Sequence, residues 1–563
     1  MASSTAPTND LRESLLDHIE KIWGFRDEMV ADLFIEAMGI DTYALPVPQS
    51  RWDEDDVALI TYGDSIVNDD QAPLRALASL VGSDLADAIS IVHVLPFSPY
   101  SSDRGFSVID YTEVDPNLGT WDDMAALAGE VPLMFDLVLN HCSASAAWFQ
   151  QFLRDEEPGR GYIMTGEPDW DVSTVTRPRS TPLLSEFDTA VGPQLVWTTF
   201  SRDQVDLDWG NPKLVAEMLR IIDLYINRGA RLLRLDAVAY IWKVPGTTSI
   251  HLPETHEIVK MLHTLLAARA SEVSIITETN VPDRENRTYF GDSDEAHLIY
   301  NFTLPPLAID AVLNGRADRL VAWMAEASPP PPGTTLFNFL ASHDGIGVRP
   351  AEGFLSNDDI EGLVQLTHDR GGMHGTYSRN GEDRPYELNI AFPDLFGGPD
   401  DPHMVDRIIL LHTIVLALAG VPAIYINSLM ATTSDHAAVE ADGIRRSINR
   451  SRVHVNDVPS LADDTWQSRL YRGLLDRAAL RRSSPAFHPQ GAQQLRDLDG
   501  VLAIDRTSVD GGEQVSVYCN MTDETKHVAV DDSFHCLLTG HDLTDEVELP
   551  PYGSVWLTPK QAG

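Results

Sequence analysis

Residues 231–238 read RLLRLDAV, a run whose leucines, alanine and valine suit a buried strand but which also carries Arg234 and Asp236, two positions apart. In a strand those side chains share one face, so a guanidinium and a carboxylate lie side by side among apolar neighbours. A buried ion pair alone says little about function, because apolar residues often replace one without loss of stability. Three further runs shift the balance. DLVLNH carries Asp136, Asn140 and His141, ITETN carries Glu278, and LASHD ends in His343 and Asp344. There is no Cys/His zinc spacing, phosphate-cradling glycine loop or nucleophile-elbow serine. Carboxylates with one arginine and two histidines suit chemistry at a glycosidic bond. Retention of configuration there takes a carboxylate nucleophile and a carboxylic acid about 5–5.5 Å away that protonates the leaving oxygen. Arg234 would keep Asp236 ionised, whereas Glu278, less compensated and partly desolvated, would hold its proton near neutral pH.

The elements that must position these groups are short β-branched runs alternating with amphipathic helical patterns, the signature of parallel βα units. Strands are expected at 57–62, 89–95, 131–139, 231–238, 273–277, 297–302, 335–340 and 421–426. Eight of them interleaved with helices such as 213–227 and 254–268 imply an α/β chain folded as a (β/α)8 TIM barrel. Its active site would lie at the C-terminal strand ends, where the acids and histidines fall. The barrel is expected over 56–484, after a helical N-terminal extension at 1–55. Two interstrand stretches, 142–208 and 345–402, are too long for simple loops and read as inserted lids or small domains. From 485 to 563 short strands without helices predict a C-terminal antiparallel β domain.

With 563 residues, 43% hydrophobic and 22% charged, the composition is globular and not disordered. A net charge of −44 argues against nucleic acid or an anionic membrane as a partner. Only Lys21, Lys213, Lys243, Lys260, Lys526 and Lys560 are lysines, so arginine supplies most of the scarce positive charge. Cys142, Cys519 and Cys536 form no disulfide framework, and the N-terminal residues lack a basic-then-apolar signal pattern. The most apolar run, 408–426, is interrupted by His412, Gly420 and Pro422 and reads as helix then strand. A cytoplasmic protein is expected.

The four segments DLVLNH, RLLRLDAV, ITETN and ASHD, in that order, resemble the motifs of the α-amylase superfamily (glycoside hydrolase family 13) over roughly residues 56–455. The resemblance implies Asp236 as nucleophile, Glu278 as general acid/base and Asp344 as transition-state stabiliser. It further implies sugar contacts from Asp103 and Phe106 in SSDRGFSVIDY, from His141, Gln204, Arg234 and His343, and from Arg450 of RSINR. The phrases WTTFSRDQVDLD, RLDAVAY, YNFTLPPL and SHDGIGV resemble the sucrose phosphorylase-like subgroup, whose members transfer glucose to inorganic phosphate with retention. AYIWK and PYELNI are more similar to the sucrose 6-phosphate and glucosylglycerate phosphorylases.

An anion beside ionised Asp236 and Asp344 would be repelled by several kcal/mol (~3 kcal/mol per charge at 5 Å and an effective dielectric of 20) unless cations offset it. The two insertions carry Arg177 and Arg179 in TRPRS, and His368, Arg370, His374 and Arg379 in THDRGGMHGTYSRNG. Of these, Arg177, Arg179, His374 and Arg379 are expected to hold phosphate or an anionic acceptor, since a planar guanidinium is the favoured phosphate fork. The generous cluster points to sucrose 6-phosphate as donor, with glucosylglycerate, sucrose or simple α-glucoside hydrolysis as alternatives. No cofactor or metal is implied, and the chain is expected to work as a monomer or homodimer on a small sugar (phosphate) substrate and inorganic phosphate.

Overall fold

A computed structural model describes residues 6–40, 51–177, 181–379, 382–530 and 533–560. Eight parallel strands close into a barrel: β1 (Ala58–Thr61), β2 (Ile91–Val94), β3 (Leu133–Val138), β4 (Ala230–Asp236), β5 (Ser274–Thr277), β6 (Leu298–Tyr300), β7 (Thr335–Asn338) and β8 (Val421–Tyr425). Seven fall inside the runs read from the sequence, and β4 begins one residue before its run, at Ala230. Helices cover the outside and side chains fill the inside, so both faces are dry, and the strands are continuous apolar runs instead of alternating ones. Arg231 is the one exposed residue in β4.

The helix Pro212–Asn227 shows how the sequence delivers β4. Asn211 caps it by accepting a hydrogen bond from the Lys213 amide, and Pro212 occupies the first turn, where its missing N–H costs nothing. Leu214, Val215, Met218, Leu219, Ile222 and Tyr225 form its buried stripe. Gly229 then takes φ +103, a turn into β4 that an L side chain would strain. The register pairs Arg234 with Asp136 of β3 and with Ile276 of β5. Since directly paired residues on parallel strands point the same way, that register alone sets a guanidinium beside a carboxylate in the barrel interior.

Two helices near the N-terminus, Ala6–Trp23 and Glu28–Ala37, pack on the outer helices Pro253–Arg269 and Pro212–Asn227. His18 bridges Glu257 (2.6 Å) and Thr264 (3.0 Å) there. The first insertion begins and ends on one antiparallel pair, His141–Ser143 with Gln204–Asp206, which sets Gln204 opposite Ser143. The second contains a three-stranded sheet of Ile346–Gly347, Glu382–Asn389 and Met373–Arg379. Towards the C-terminus lies a six-stranded antiparallel sheet built from 492–497, 501–507, 514–520, 554–559, 534–536 and 542–543. Among the described residues, no helix is long and apolar enough to cross a membrane.

Two buried arginines hold the carbonyls around the base of β8, one on the helix Trp466–Arg482 and one on this sheet. Arg481 donates to the carbonyls of Glu54, Asp56, Leu416, Gly420 and Phe487. Arg506 donates to those of Ala417 (2.7 Å) and His488 (2.7 Å). Burial pushes Arg481 down to about 10 and Arg506 to about 9, but both stay charged at neutral pH. Arg481→Met would leave five carbonyls without their donor. The expected loss is roughly 3–5 kcal/mol, read as a lower denaturation midpoint; a variant melting with the wild type would show that water replaces the guanidinium.

Candidate active site

The floor of the site grows from the β3–β4 register. Arg234 donates through Nη1 to Asp136 and to Asp236 Oδ1 (2.8 Å), and its Nη2 lies 4.0 Å from Glu278. Asp136 Oδ2 in turn meets His93 Nε2 at 2.7 Å. All of these groups are buried or nearly so, and an isolated ion there would be prohibitive. Burial raises Asp136, but Arg234 and His93 more than offset it, so this carboxyl stays below its ordinary range. Burial lowers His93, leaving a neutral imidazole. Asp136 and Arg234 thus form a neutral base, and Asp236 and Glu278 are added on top of it.

Burial pushes both Asp236 and Glu278 upward, and Arg234 opposes the shift in each. One guanidinium shared among three carboxylates opposes that burial without cancelling it. Both shifts favour a proton held by the pair. The direct 2.8 Å ion pair with Asp236, against 4.0 Å for Glu278, favours leaving that proton on Glu278. Ala237, just after Asp236, sits at φ +53 and starts the 3-10 turn Val238–Tyr240. Its amide donates to Glu278 Oε2 (3.3 Å). Such a backbone is strained for a residue other than glycine, and it joins the two acids through one peptide group.

A second wall comes from the loop after β2. Asp103 and Arg104 both take φ +49, and a Cβ on Gly105 would lie 2.6 Å from the Pro96 carbonyl oxygen. The hydroxyls of Ser101, Ser102 and Ser107 all donate to Asp203 of the first insertion, which holds the loop in that shape. Phe106 stacks on His343, centroids 4.8 Å apart. Arg450 donates from Nε to the His343 carbonyl (2.7 Å) and stands 3.8 Å from Asp103. His141 meets the Phe106 carbonyl at 2.8 Å and Gln204 at 3.1 Å. Beneath them the buried Lys243 donates to Asn140 (2.7 Å) and lies 3.2 Å from Asp206, anchoring both ends of the insertion.

The remaining wall is formed by Phe200, Tyr240, Asn280, Tyr386 and Arg446, and one pocket is lined by all of them together with Asp103, Phe106, His141, Gln204, Arg234, Asp236, Glu278, His343 and Asp344. Arg446 Nη1 lies 2.5 Å from Asp344 Oδ1. Its Nε and Nη2 donate to the two oxygens of the buried Glu387 at 3.0 and 2.8 Å. A proton-holding carboxylic acid beside an arginine-paired carboxylate can carry out double displacement at an anomeric carbon.

Residues 88–329 match the α-amylase catalytic domain. Over 545 residues the chain is 41% identical to a glucosylglycerate phosphorylase of Spirochaeta thermophila, covering 92% of this chain and 93% of that one. A glucosylglycerate phosphorylase of Allomeiothermus silvanus is 40% identical over 98% of this chain and 99% of its own length. The chain belongs to the α-amylase family, glycoside hydrolase family 13, in its sucrose phosphorylase-like branch. It is a glycoside phosphorylase, a glycosyltransferase-type enzyme that acts on a small sugar substrate and phosphate. The crystal structure of a sucrose 6F-phosphate phosphorylase from Thermoanaerobacter thermosaccharolyticum shares the fold with a TM-score of 0.73 at 24% identity, over 83% of this chain and 94% of that one.

The phosphorylase brings together most of the residues singled out from its sequence. Asp236, Glu278, Asp344, Asp103, Phe106, His141, Gln204, Arg234 and His343 line one pocket, and Arg450 stands directly behind it. The described members of the expected anion cluster do not line this pocket. Arg177 is not among the lining residues, and among the described residues its buried Nη1 has no hydrogen-bond partner. His374 does not line the pocket either; it bonds His368 at 2.8 Å. Arg370 donates to the Leu395 carbonyl (2.9 Å). Arg179 lies outside the described residues, as does the side chain of Arg379. Sequence reasoning missed Arg446, Glu387, Asn280 and Tyr386. The signal was present: Arg446 is four residues before Arg450 in RRSINR, and YELN is the most polar-aromatic run of the second insertion.

Because burial raises Glu278 above 4.5, its ionisation disfavours the folded state. The folded enzyme is free of this penalty below about 4.5 and acquires it as pH rises through the folded value. Glu278→Gln should therefore melt at a higher temperature than the wild type at pH 7, with the gap closing towards pH 4. The same variant should lose roughly 10²–10⁴-fold in turnover. Paired melting curves and rates at the two pH values check both; a variant less stable at pH 7 would mean that ionised Glu278 is well solvated.

Proposed function

We propose that this phosphorylase converts glucosylglycerate and inorganic phosphate to α-glucose 1-phosphate and glycerate, with retention. The observation that carries the reading is similarity at 40–41% identity along nearly the whole chain to two proteins named for that reaction. The expectation of sucrose 6-phosphate rested on a generous cationic cluster, and its members with described side chains, Arg177, His368, Arg370 and His374, are not among the residues lining the pocket. A glycerate carboxylate asks for less positive charge than a sugar phosphate.

The reaction follows from the floor described above. Glu278 gives its proton to the glycosidic oxygen while an oxygen of Asp236 bonds to the anomeric carbon, and glycerate leaves. Phosphate then attacks the same carbon, its hydroxyl proton passes to Glu278, and the bond to Asp236 breaks. Two inversions give net retention. Asp344, Asp103, Arg450, His141, Gln204 and His343 would grip the glucosyl hydroxyls, and the Phe106–His343 stack would hold the ring's flank. No cofactor enters either step.

Release of α-glucose 1-phosphate should be measured from glucosylglycerate, sucrose 6-phosphate, sucrose and glucosylglycerol, each with and without phosphate. Glucosylglycerate should lead in kcat/KM by about 10²-fold or more, since a site built for an anionic group rejects analogues that lack or enlarge it. Sucrose 6-phosphate in first place would reinstate that donor. Free glucose at an equal rate without phosphate would make the chain a hydrolase.

A further inference from the structure

Phosphorolysis sets a charge problem, and the described members of the expected cationic cluster do not line the pocket. An anion must reach the anomeric carbon beside Asp236, Glu278 and Asp344, yet Arg177 and His374 do not line the pocket. Among the described lining residues, the guanidinium groups belong to Arg234 and Arg446. Arg234 is sealed into the barrel floor by Asp136 and Asp236, with a side chain only 2% exposed. Arg446 stands in the wall with Asn280, Tyr386 and Glu278, its side chain 16% exposed.

The attitude of Arg446 is set from behind. Glu387, at most 5% exposed, grips the Nε–Nη2 edge with two hydrogen bonds of 3.0 and 2.8 Å. Such a bidentate pair fixes the plane of the guanidinium. The edge that includes Nη1 is thereby turned into the pocket, and in the structure Nη1 rests 2.5 Å from Asp344. This is a fork held by one carboxylate and shared by a second, in the same pocket as Asp236 and Glu278.

Resting on the phosphorylase reading above, we propose that Arg446 is the fork that binds the anionic group of both acceptors, the carboxylate of glycerate and inorganic phosphate, with Glu387 as its positioning residue. The two anions would then use one place in turn. Glycerate leaves with its carboxylate on Arg446 as the Asp236 ester forms; phosphate takes the same guanidinium, attacks the anomeric carbon, passes its hydroxyl proton to Glu278 and releases Asp236. Competition between glycerate and phosphate for the glucosyl-enzyme follows directly, and so does rejection of neutral acceptors such as glycerol.

The test uses α-glucosyl fluoride, which loads the enzyme without an anionic sugar acceptor, and reads how the glucosyl group is divided among water, phosphate, glycerate and glycerol. Arg446→Met should lower transfer to phosphate and to glycerate, relative to water, by roughly 10²-fold, and lower transfer to glycerol far less. Arg446→Lys, which keeps the charge but not the fork, should recover part of the loss for both anions. Because Arg446→Met strands Glu387, the double variant Arg446→Met/Glu387→Gln removes the orphaned charge and should show the same division of products. Equal losses for phosphate, glycerate and glycerol, or no loss for the anions, would overturn the fork. If the wild type gives only glucose from the fluoride in the presence of phosphate, the phosphorylase reading fails and the fork with it.

Discussion

The structure turns on one buried arginine. Asp236, at the end of β4, and Glu278, just beyond the end of β5, face a dry barrel, where uncompensated charges would be expelled or neutralised. Arg234 makes them tolerable, and it can do so because the β3–β4 register sets it directly against Asp136. That first ion pair consumes about one unit of its charge. What remains orders Asp236, while burial still shifts the pair towards holding a proton. An acid that keeps its proton in the resting enzyme is thus a consequence of charge balance in the barrel floor.

Around this rigid floor the walls belong to the long connections. The strained Asp103–Gly105 turn is held by three serine hydroxyls on Asp203, and the base of the first insertion by Lys243 between Asn140 and Asp206. Such strain persists only where neighbouring structure over-determines it. The barrel supplies the chemistry and the insertions supply the shape into which a sugar and its acceptor must fit. The C-terminal sheet contributes at a distance, through Arg506, which with Arg481 of the helix Trp466–Arg482 caps carbonyls around the base of β8.

Positive charge is scarce in this protein, 41 basic against 85 acidic residues, and its distribution is informative. Several of the most deeply buried cations, Arg234, Arg450, Lys243, Arg481 and Arg506, serve the site or the joint between barrel and sheet. Others lie on the surface in partly exposed pairs, such as Arg12 with Asp32 and Arg26 with Glu13, which contribute little to stability. Clustering of cations along the chain was therefore a poor guide to which of the described ones line the pocket. His368 and His374 are close in sequence and bond each other, whereas Arg446 meets Glu387 from 59 positions away.

The eight strands, the order of the acids and the donor-side residues were legible in the sequence because each rests on local rules. Apolar β-branched runs make buried strands whatever surrounds them, and a polar residue at the end of such a run can only face the mouth of the barrel. Arg446, Glu387, Asn280 and Tyr386 obey no such rule. They lie in turns and inserted strands whose approach to the barrel is decided by packing between segments far apart in the chain. The choice between glycerate and a sugar phosphate was equally closed, since both are anions and composition cannot count the donors that reach them. By itself the sequence determined the barrel and the identity of its carboxylates, because strand periodicity and strand-end position are local properties. Only the tertiary structure decided which guanidinium groups line the pocket and how Arg234 divides its charge, because both depend on distances between groups brought together by strand register and loop packing.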